Sequence, residues 1–164
     1  MILTIDFETR SECDLKTAGV WKYAEHPSTR ILCLGIKVDG FPANLWWPEW
    51  TGQEGISLST LADLLKEARY IYAHNAEFET AMWGLMPIPL PLEKVRCTAA
   101  MAAYHALPRS LDACAKALGL SAGKDAEGYK LMMRMCKPQK DRKTGEKFWI
   151  EDCASLQRLG EYCK

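Results

Sequence analysis

The sequence contains no run of about 18 apolar residues, the length a helix needs to cross a bilayer, so no membrane partner is expected. It also lacks a basic start followed by an apolar stretch and a small-residue cleavage site, so nothing in it reads as a secretory leader. No CxxC pair occurs. The seven cysteines (Cys13, Cys33, Cys97, Cys114, Cys136, Cys153 and Cys163) are odd in number, widely spaced and mostly set in apolar segments. That usage argues against a zinc site or disulfide framework and for a reducing cytoplasm. Histidine is scarce, and His26 and His105 have no metal-ligand spacing. Neither an internal repeat nor a low-complexity tract is present. Net charge is zero, with 21 basic and 21 acidic residues, and this balance by itself neither favours nor excludes a polyanionic partner.

What is present is a chain of 164 residues with 48% hydrophobic and 26% charged content. That is one domain by size, long enough to bury about 70% of the surface its unfolded form exposes. Charge is distributed unevenly. From Lys124 to Lys147 there are eight Lys or Arg against four Asp or Glu, and the remainder carries the opposite excess. A basic arm beside an acidic pocket suits a nucleic acid, with Lys137, Lys140, Arg142 and Lys143 as phosphate contacts; a solvated linker explains the same stretch.

Strand and helix signals interleave. "ILTIDF" has the composition of a strand buried on both faces of a sheet. "ILCLGIKVDG" is a second strand whose Asp39-Gly40 marks a hairpin, with "FPANLWW" as its antiparallel partner. "RSECDLKTAGVWKYAEHPSTR" between them reads as a polar connection. "SLSTLADLLKEA" places Leu58, Leu61, Leu64 and Leu65 on one helical face. "RYIYAHN" is a short strand and "AEFETAMWGLM" a helix, with Asn75 as N-cap and Phe78, Met82 and Leu85 as its core face. "VRCT" is a brief strand, "RSLDACAKALGL" an amphipathic helix ended by Gly119, and "EDCASLQRLGEYCK" a last helix still running at Lys164. The expected fold class is α/β, a mixed sheet flanked by helices.

Two carboxylates stand in the first strand. Side chains alternate along a strand, so Thr4, Asp6 and Glu8 share one face, and Asp6 and Glu8 lie roughly 6 to 7 Å apart. Like charges that close repel unless a proton or a cation intervenes. The strand-to-helix junction at "YAHNAEFETAMW" supplies a third acid: Glu79 sits in the first helical turn, where the helix dipole favours it. If that strand neighbours the first, three carboxylates converge on a site for a hard divalent cation. A capped helix with a favourable first-turn charge is the plainer reading of Asn75 and Glu79. "LWWPEW" groups Trp46, Trp47 and Trp50, which serve either as packing at a sheet rim or as a platform for unpaired bases. His74 reads as a structural or pocket-wall residue.

"IDFET", "HNAEFE" some seventy residues on, and "LGEYC" on a late helix together resemble the DEDD superfamily of 3′→5′ exonucleases. The likeness is greatest to the proofreading domain of family A DNA polymerases, particularly those of bacteriophages. Asp6, Glu8 and Thr9 match the first motif, Asp-x-Glu-Thr. Asn75 and Phe78 match the second, with Glu79 standing where the motif has aspartate. Tyr162 matches the tyrosine of the third, Tyr-x-x-x-Asp, whose aspartate would fall two residues beyond Lys164. "CT", "LP", "SLDACAKALGL" and "CKP" are similar to the connecting text of phage polymerases.

The resemblance implies an RNase H-like fold for residues 1–164 as a single exonuclease-like domain lacking the end of its last helix. It implies two divalent cations, Mg2+ or Mn2+, held by Asp6, Glu8 and Glu79, with Asp6 bridging them. Tyr162 would orient the attacking water, and Thr9, Asn75 and Phe78 would meet substrate, Thr9 at the 3′-terminal nucleotide. The implied partners are single-stranded DNA or a primer 3′ end and a polymerase domain in the same longer chain. The implied location is the cytoplasm of a bacterial host carrying a phage or prophage. Two other readings stay open: a catalytically silent domain that binds nucleic acid or supports a polymerase, because the third acid is missing, and a free-standing DEDD exonuclease acting on RNA or DNA.

Overall fold

The alternation expected of the first strand appears in β1 (Ile2–Arg10), where Leu3, Ile5 and Phe7 are buried while Thr4 and Asp6 reach solvent. The structure, a computed structural model, describes residues 1–120 and 125–164. Lys124, at the head of the basic stretch, lies outside the described residues. The expected polar connection instead contains two short helices, α1 (Leu15–Ala18) and α2 (Val20–Glu25). Asp14 caps α1 by accepting from the Thr17 N–H at 2.9 Å, and α2 is held by burying Tyr23 and Ala24. Tertiary burial here outweighs a polar composition.

β2 (Arg30–Val38) and β3 (Ala43–Trp46) form the expected hairpin, with Gly40 in the left-handed conformation its turn requires. α3 (Leu58–Glu67) begins at Ser57, whose hydroxyl accepts from the Thr60 N–H at 3.0 Å, and buries Leu61 and Leu65. β4 (Tyr70–Ala73) leads into α4 (Glu77–Trp83), and β5 (Val95–Cys97) into α5 (Thr98–Tyr104). α6 (Leu111–Ala117) follows, then α7 (Ala126–Met135). The remaining basic stretch forms a small ladder of β6 (Gln139–Lys140) and β7 (Lys147–Phe148), before α8 (Cys153–Cys163).

The main sheet has the order β3-β2-β1-β4-β5. β1 is antiparallel to β2 and parallel to β4, and β5 is parallel to β4. This mixed five-stranded α/β sheet flanked by helices is the expected class and is compatible with an RNase H-like fold. One face packs Leu3, Ile5, Phe7, Leu34 and Ile36 against α2, α3 and α4. The other carries a smaller core of Leu32, Cys33, Leu45 and Trp47 against Met135, Leu156 and Leu159 of α7 and α8. That second core stops short of Thr4 and Asp6, so β1 is not buried on both faces along its length.

Candidate functional site

The carboxylates lie where three chain segments meet at the C-terminal half of β1. Asp6 pairs in register with Gly35 and Glu8 with Cys33, and the ladder then slips, Thr9 pairing with Ile31. The slip breaks the alternation, so Phe7, Glu8, Thr9 and Arg10 are all buried in succession. α8 closes over this point. A Cβ on Gly35 would lie 2.8 Å from the Cys163 carbonyl and 2.9 Å from its sulfur, so only glycine admits the helix end here. Asp6, Glu8 and Cys163 consequently offer two carboxylate oxygens and a sulfur within 4.8 Å of one another.

β4 runs parallel beside β1 and delivers α4 to the same end, as the site requires. Asn75 departs from its expected part: the N-cap is Ala76, and Asn75 is an exposed turn residue at φ 65°, a conformation asparagine tolerates. The core face of α4 also differs. Met82 is buried, but Phe78 is half-buried against Tyr23, and Leu85 lies past the helix end, 43% exposed. In their place the helix buries Glu79, which is 2% exposed and has no partner for Oε2.

Electrostatics mark the three acids as one group. Asp6 still reaches solvent, yet the surrounding chain strips enough water from its carboxyl to push it up to about 6. Glu8 is pushed up to about 8, by burial first and by the Asp6 charge second. Glu79 is also pushed up to about 8 by burial and then by Asp6, with backbone N–H groups of Glu79 itself and Phe7 pulling partly back. A phenol on α8 completes the rim: Tyr162 is half-buried and raised by burial, then by Glu8 and Asp6, so it stays a neutral O–H donor. Tyr162 is positioned from α7, since a Cβ on Gly128 would lie 2.6 Å from its ring. Arg158 pairs with Asp125 across the same two helices.

The donor set fits a hard divalent cation. Asp6 and Glu8 lie within reach of one ion, and Glu79, outside that group of close ligand atoms, feels the Asp6 charge and keeps one buried oxygen unsatisfied. The other expected residues take more structural parts. Thr9 is buried, with its hydroxyl on the Tyr23 hydroxyl at 2.9 Å. His74 Nδ1 meets the Thr98 hydroxyl at 3.0 Å. Trp47 belongs to the smaller core and Trp46 packs at the rim of the larger one on the other face, whereas Trp50 lies 4.5 Å from the Arg10 guanidinium. All seven cysteines are free.

Two contributors escaped sequence reasoning. Cys163 follows Tyr162 directly, and the unexplained glycine opposite Asp6 was the available sign that something approaches there. Arg10 is sandwiched between Trp50 and Trp149 (4.5 and 4.7 Å), bonds Glu151 at 2.7 Å, and so ties the end of β1 to the arm that leads into α8. Two clefts, of about 470 and 480 Å³, lie away from the carboxylates, one at Met1–Arg69 and one between Trp47 and α8.

No protein-family model matches the chain. It is 36% identical over 145 residues, 84% of its length, to the DNA polymerase of Bacillus phage SP02. That match covers 22% of the relative, so the chain spans about a fifth of it. Most of the chain is thus similar to a segment of a phage DNA polymerase. No helix among the described residues is long and apolar enough to cross a membrane.

Proposed function

We propose that the chain is a 3′→5′ exonuclease region of a phage-type DNA polymerase, hydrolysing phosphodiester bonds at DNA 3′ ends. The observation that carries this reading is the buried Glu79, with an unpartnered oxygen, beside the Asp6–Glu8 pair at one end of the sheet. Similarity to a polymerase about four times as long supports it and favours a polymerase domain in the same polypeptide.

Asp6, Glu8 and Glu79 hold divalent cations, Mg2+ or Mn2+. When bound, these supply the Lewis acidity that makes a water nucleophilic and neutralises the leaving oxygen. The protein's own groups do the rest. Asp6 and Glu8 project from adjacent same-face positions of a rigid strand, which fixes their separation. Tyr162, kept neutral, donates its O–H to orient the attacking water. Lys140, Arg142 and Lys143, exposed around the β6–β7 turn, hold the strand's phosphates. Thr9, Asn75 and Phe78 line the approach of the terminal nucleotide, and the bacterial cytoplasm is the setting in which the reaction occurs.

The test is degradation of a 5′-labelled single-stranded DNA by the full natural polypeptide with Mg2+ and with Mn2+. Stepwise shortening from the 3′ end that an Asp6→Ala, Glu8→Ala double variant loses is the expected result. Intact substrate with a folded protein would contradict the reading and favour a domain that only binds nucleic acid.

A further inference from the structure

The second face of the sheet is only half covered. The core on that side takes Leu32, Cys33, Leu45 and Trp47 and goes no further along the sheet. Past it, among the described residues, neither core includes Ile2 and Thr4 of β1, Lys37 of β2, Tyr70 and Tyr72 of β4 or Arg96 of β5. Register sets these side chains on one face. Thr4 pairs with Lys37 on one side and Tyr72 on the other, and Tyr72 pairs with Arg96, so the four form a row across four strands. Ile2 and Tyr70 pair in the row behind it. The two tyrosine rings meet edge to face with centroids 6.3 Å apart, and the Arg69 and Arg96 guanidiniums lie 5.2 and 4.9 Å from the Tyr70 ring. Arg96 donates to the Glu93 and Val95 carbonyls at 2.8 Å and Lys37 to the Phe41 carbonyl, but among the described residues no carboxylate pairs with Lys37, Arg69 or Arg96. The cleft of about 470 Å³ opens at the edge of this face, between Ile2, Phe41, Arg69 and Tyr70, with Asp39 as its one lining carboxylate.

We propose that this open half-sheet is a platform for single-stranded nucleic acid, separate from the carboxylates and from the basic arm. Unpaired bases stack on aromatic rings and on arginine planes, and here both stand side by side on a flat surface. Three cations without acidic partners, against Asp39 alone in the cleft, give the face the charge that complements a phosphate backbone. A protein element laid over the same row would have to desolvate Lys37 and Arg96, a cost that an apolar docking face does not carry. The platform also leads toward the acids. Asp6 is the next residue after Thr4 on this face, roughly 6 to 7 Å along the strand, so nucleic acid lying on the tyrosines reaches the carboxylates along β1. Its holding does not depend on the acids cutting it.

The probe is a single-stranded DNA carrying 4-thiothymidine, photocrosslinked to the full natural polypeptide with EDTA present so that nothing is cut, and the crosslinked peptides are located by mass spectrometry. Crosslinks at residues 70–72 are expected in the wild type, which needs no substitution, and equally in the Asp6→Ala, Glu8→Ala double variant. At this peptide an unmodified strand should compete at least about fivefold better than an abasic chain of the same length and charge, because the bases stack. In an Arg69→Gln, Arg96→Gln double variant the half-saturating DNA concentration for this crosslink should rise at least about fivefold. Lys66→Gln, on α3 at the opposite face of the sheet, should leave it unchanged. An abasic chain that competes as well as DNA, or a crosslink indifferent to both arginines, overturns the proposal. Crosslinks found only outside residues 70–72, while the wild type still shortens DNA with Mg2+, overturn it too. That last result leaves the exonuclease reading standing and gives the face to a protein element instead.

Discussion

Glu79 is the residue whose behaviour differs most between a merely capped helix and a working site. A carboxyl raised to about 8 binds a proton in the folded chain that it has lost in the unfolded chain between its ordinary value and that pH. Across this window the native state holds more protons, so stability falls as pH rises. Glu8 acts in the same direction to about 8, and Asp6 to about 6. Metal-free protein should therefore show a falling Tm from pH 5 to pH 8, with saturating Mn2+ recovering much of the loss at pH 8, since the cation binds the ionised form. Replacing Glu79 by glutamine removes the ionisation at constant shape. Glu79→Gln should raise metal-free stability at pH 8 by about 1–3 kcal/mol and change little near pH 5, as read by urea unfolding. The same substitution should weaken Mn2+ binding. A structural first-turn carboxylate would give the opposite sign, its loss costing stability at pH 8.

Among elements, α8 and the arm before it decide whether the site is assembled. The helix comes close to the β2–β3 hairpin at two glycines: Gly160 sits under Trp47 and Leu45, and Gly35 under Cys163. Gly35→Ala should cost about 1–3 kcal/mol, the usual cost of overpacking, and move Tyr162 and Cys163 off the carboxylates. Equilibrium unfolding reads the first effect and thiol labelling of Cys163 the second. Arg10 fixes the other end of this unit through Trp50, Trp149 and Glu151. Arg10→Ala should lower stability by about 2–3 kcal/mol and expose residues 137–151 to limited proteolysis before the sheet is cut. These long-range dependencies explain what sequence alone conveys. Element identity was legible where periodicity and caps agree, as at Ser57 with Leu61 and Leu65. It was not legible at α1, one short turn held by its Asp14 cap, nor at α2, whose helicity comes with the burial of Tyr23 and Ala24. Nor was it legible at α6, amphipathic by pattern yet with no residue buried. The carboxylates could be picked out because charge in a core strand is anomalous, whereas Cys163, an ordinary apolar-looking residue, became notable only once α8 was placed.

For the molecule as a whole, a neutral chain divides its charge. The acids gather at one end of the sheet, and the basic arm is tied beside them, Ser11 N–H bonding the Cys136 carbonyl at 3.0 Å and Lys147 reaching Glu12 at 3.3 Å. A polyanion held by the arm is thereby presented to the acids, which on their own would repel it. Neutralising Lys140, Arg142 and Lys143 together should weaken single-stranded DNA binding and reduce its log–log salt slope by about 2, at roughly 0.7 per lost phosphate contact. Fluorescence anisotropy over a salt series measures this, and an unchanged slope would make the arm a solvated linker. All of it presupposes that the acids are a cation site. Electron paramagnetic resonance of Mn2+ with the wild-type protein and with Asp6→Asn tests that most directly. Saturable Mn2+ binding that the substitution removes while the fold is kept is the expected result; free Mn2+ throughout, or binding indifferent to Asp6, rules a cation site out.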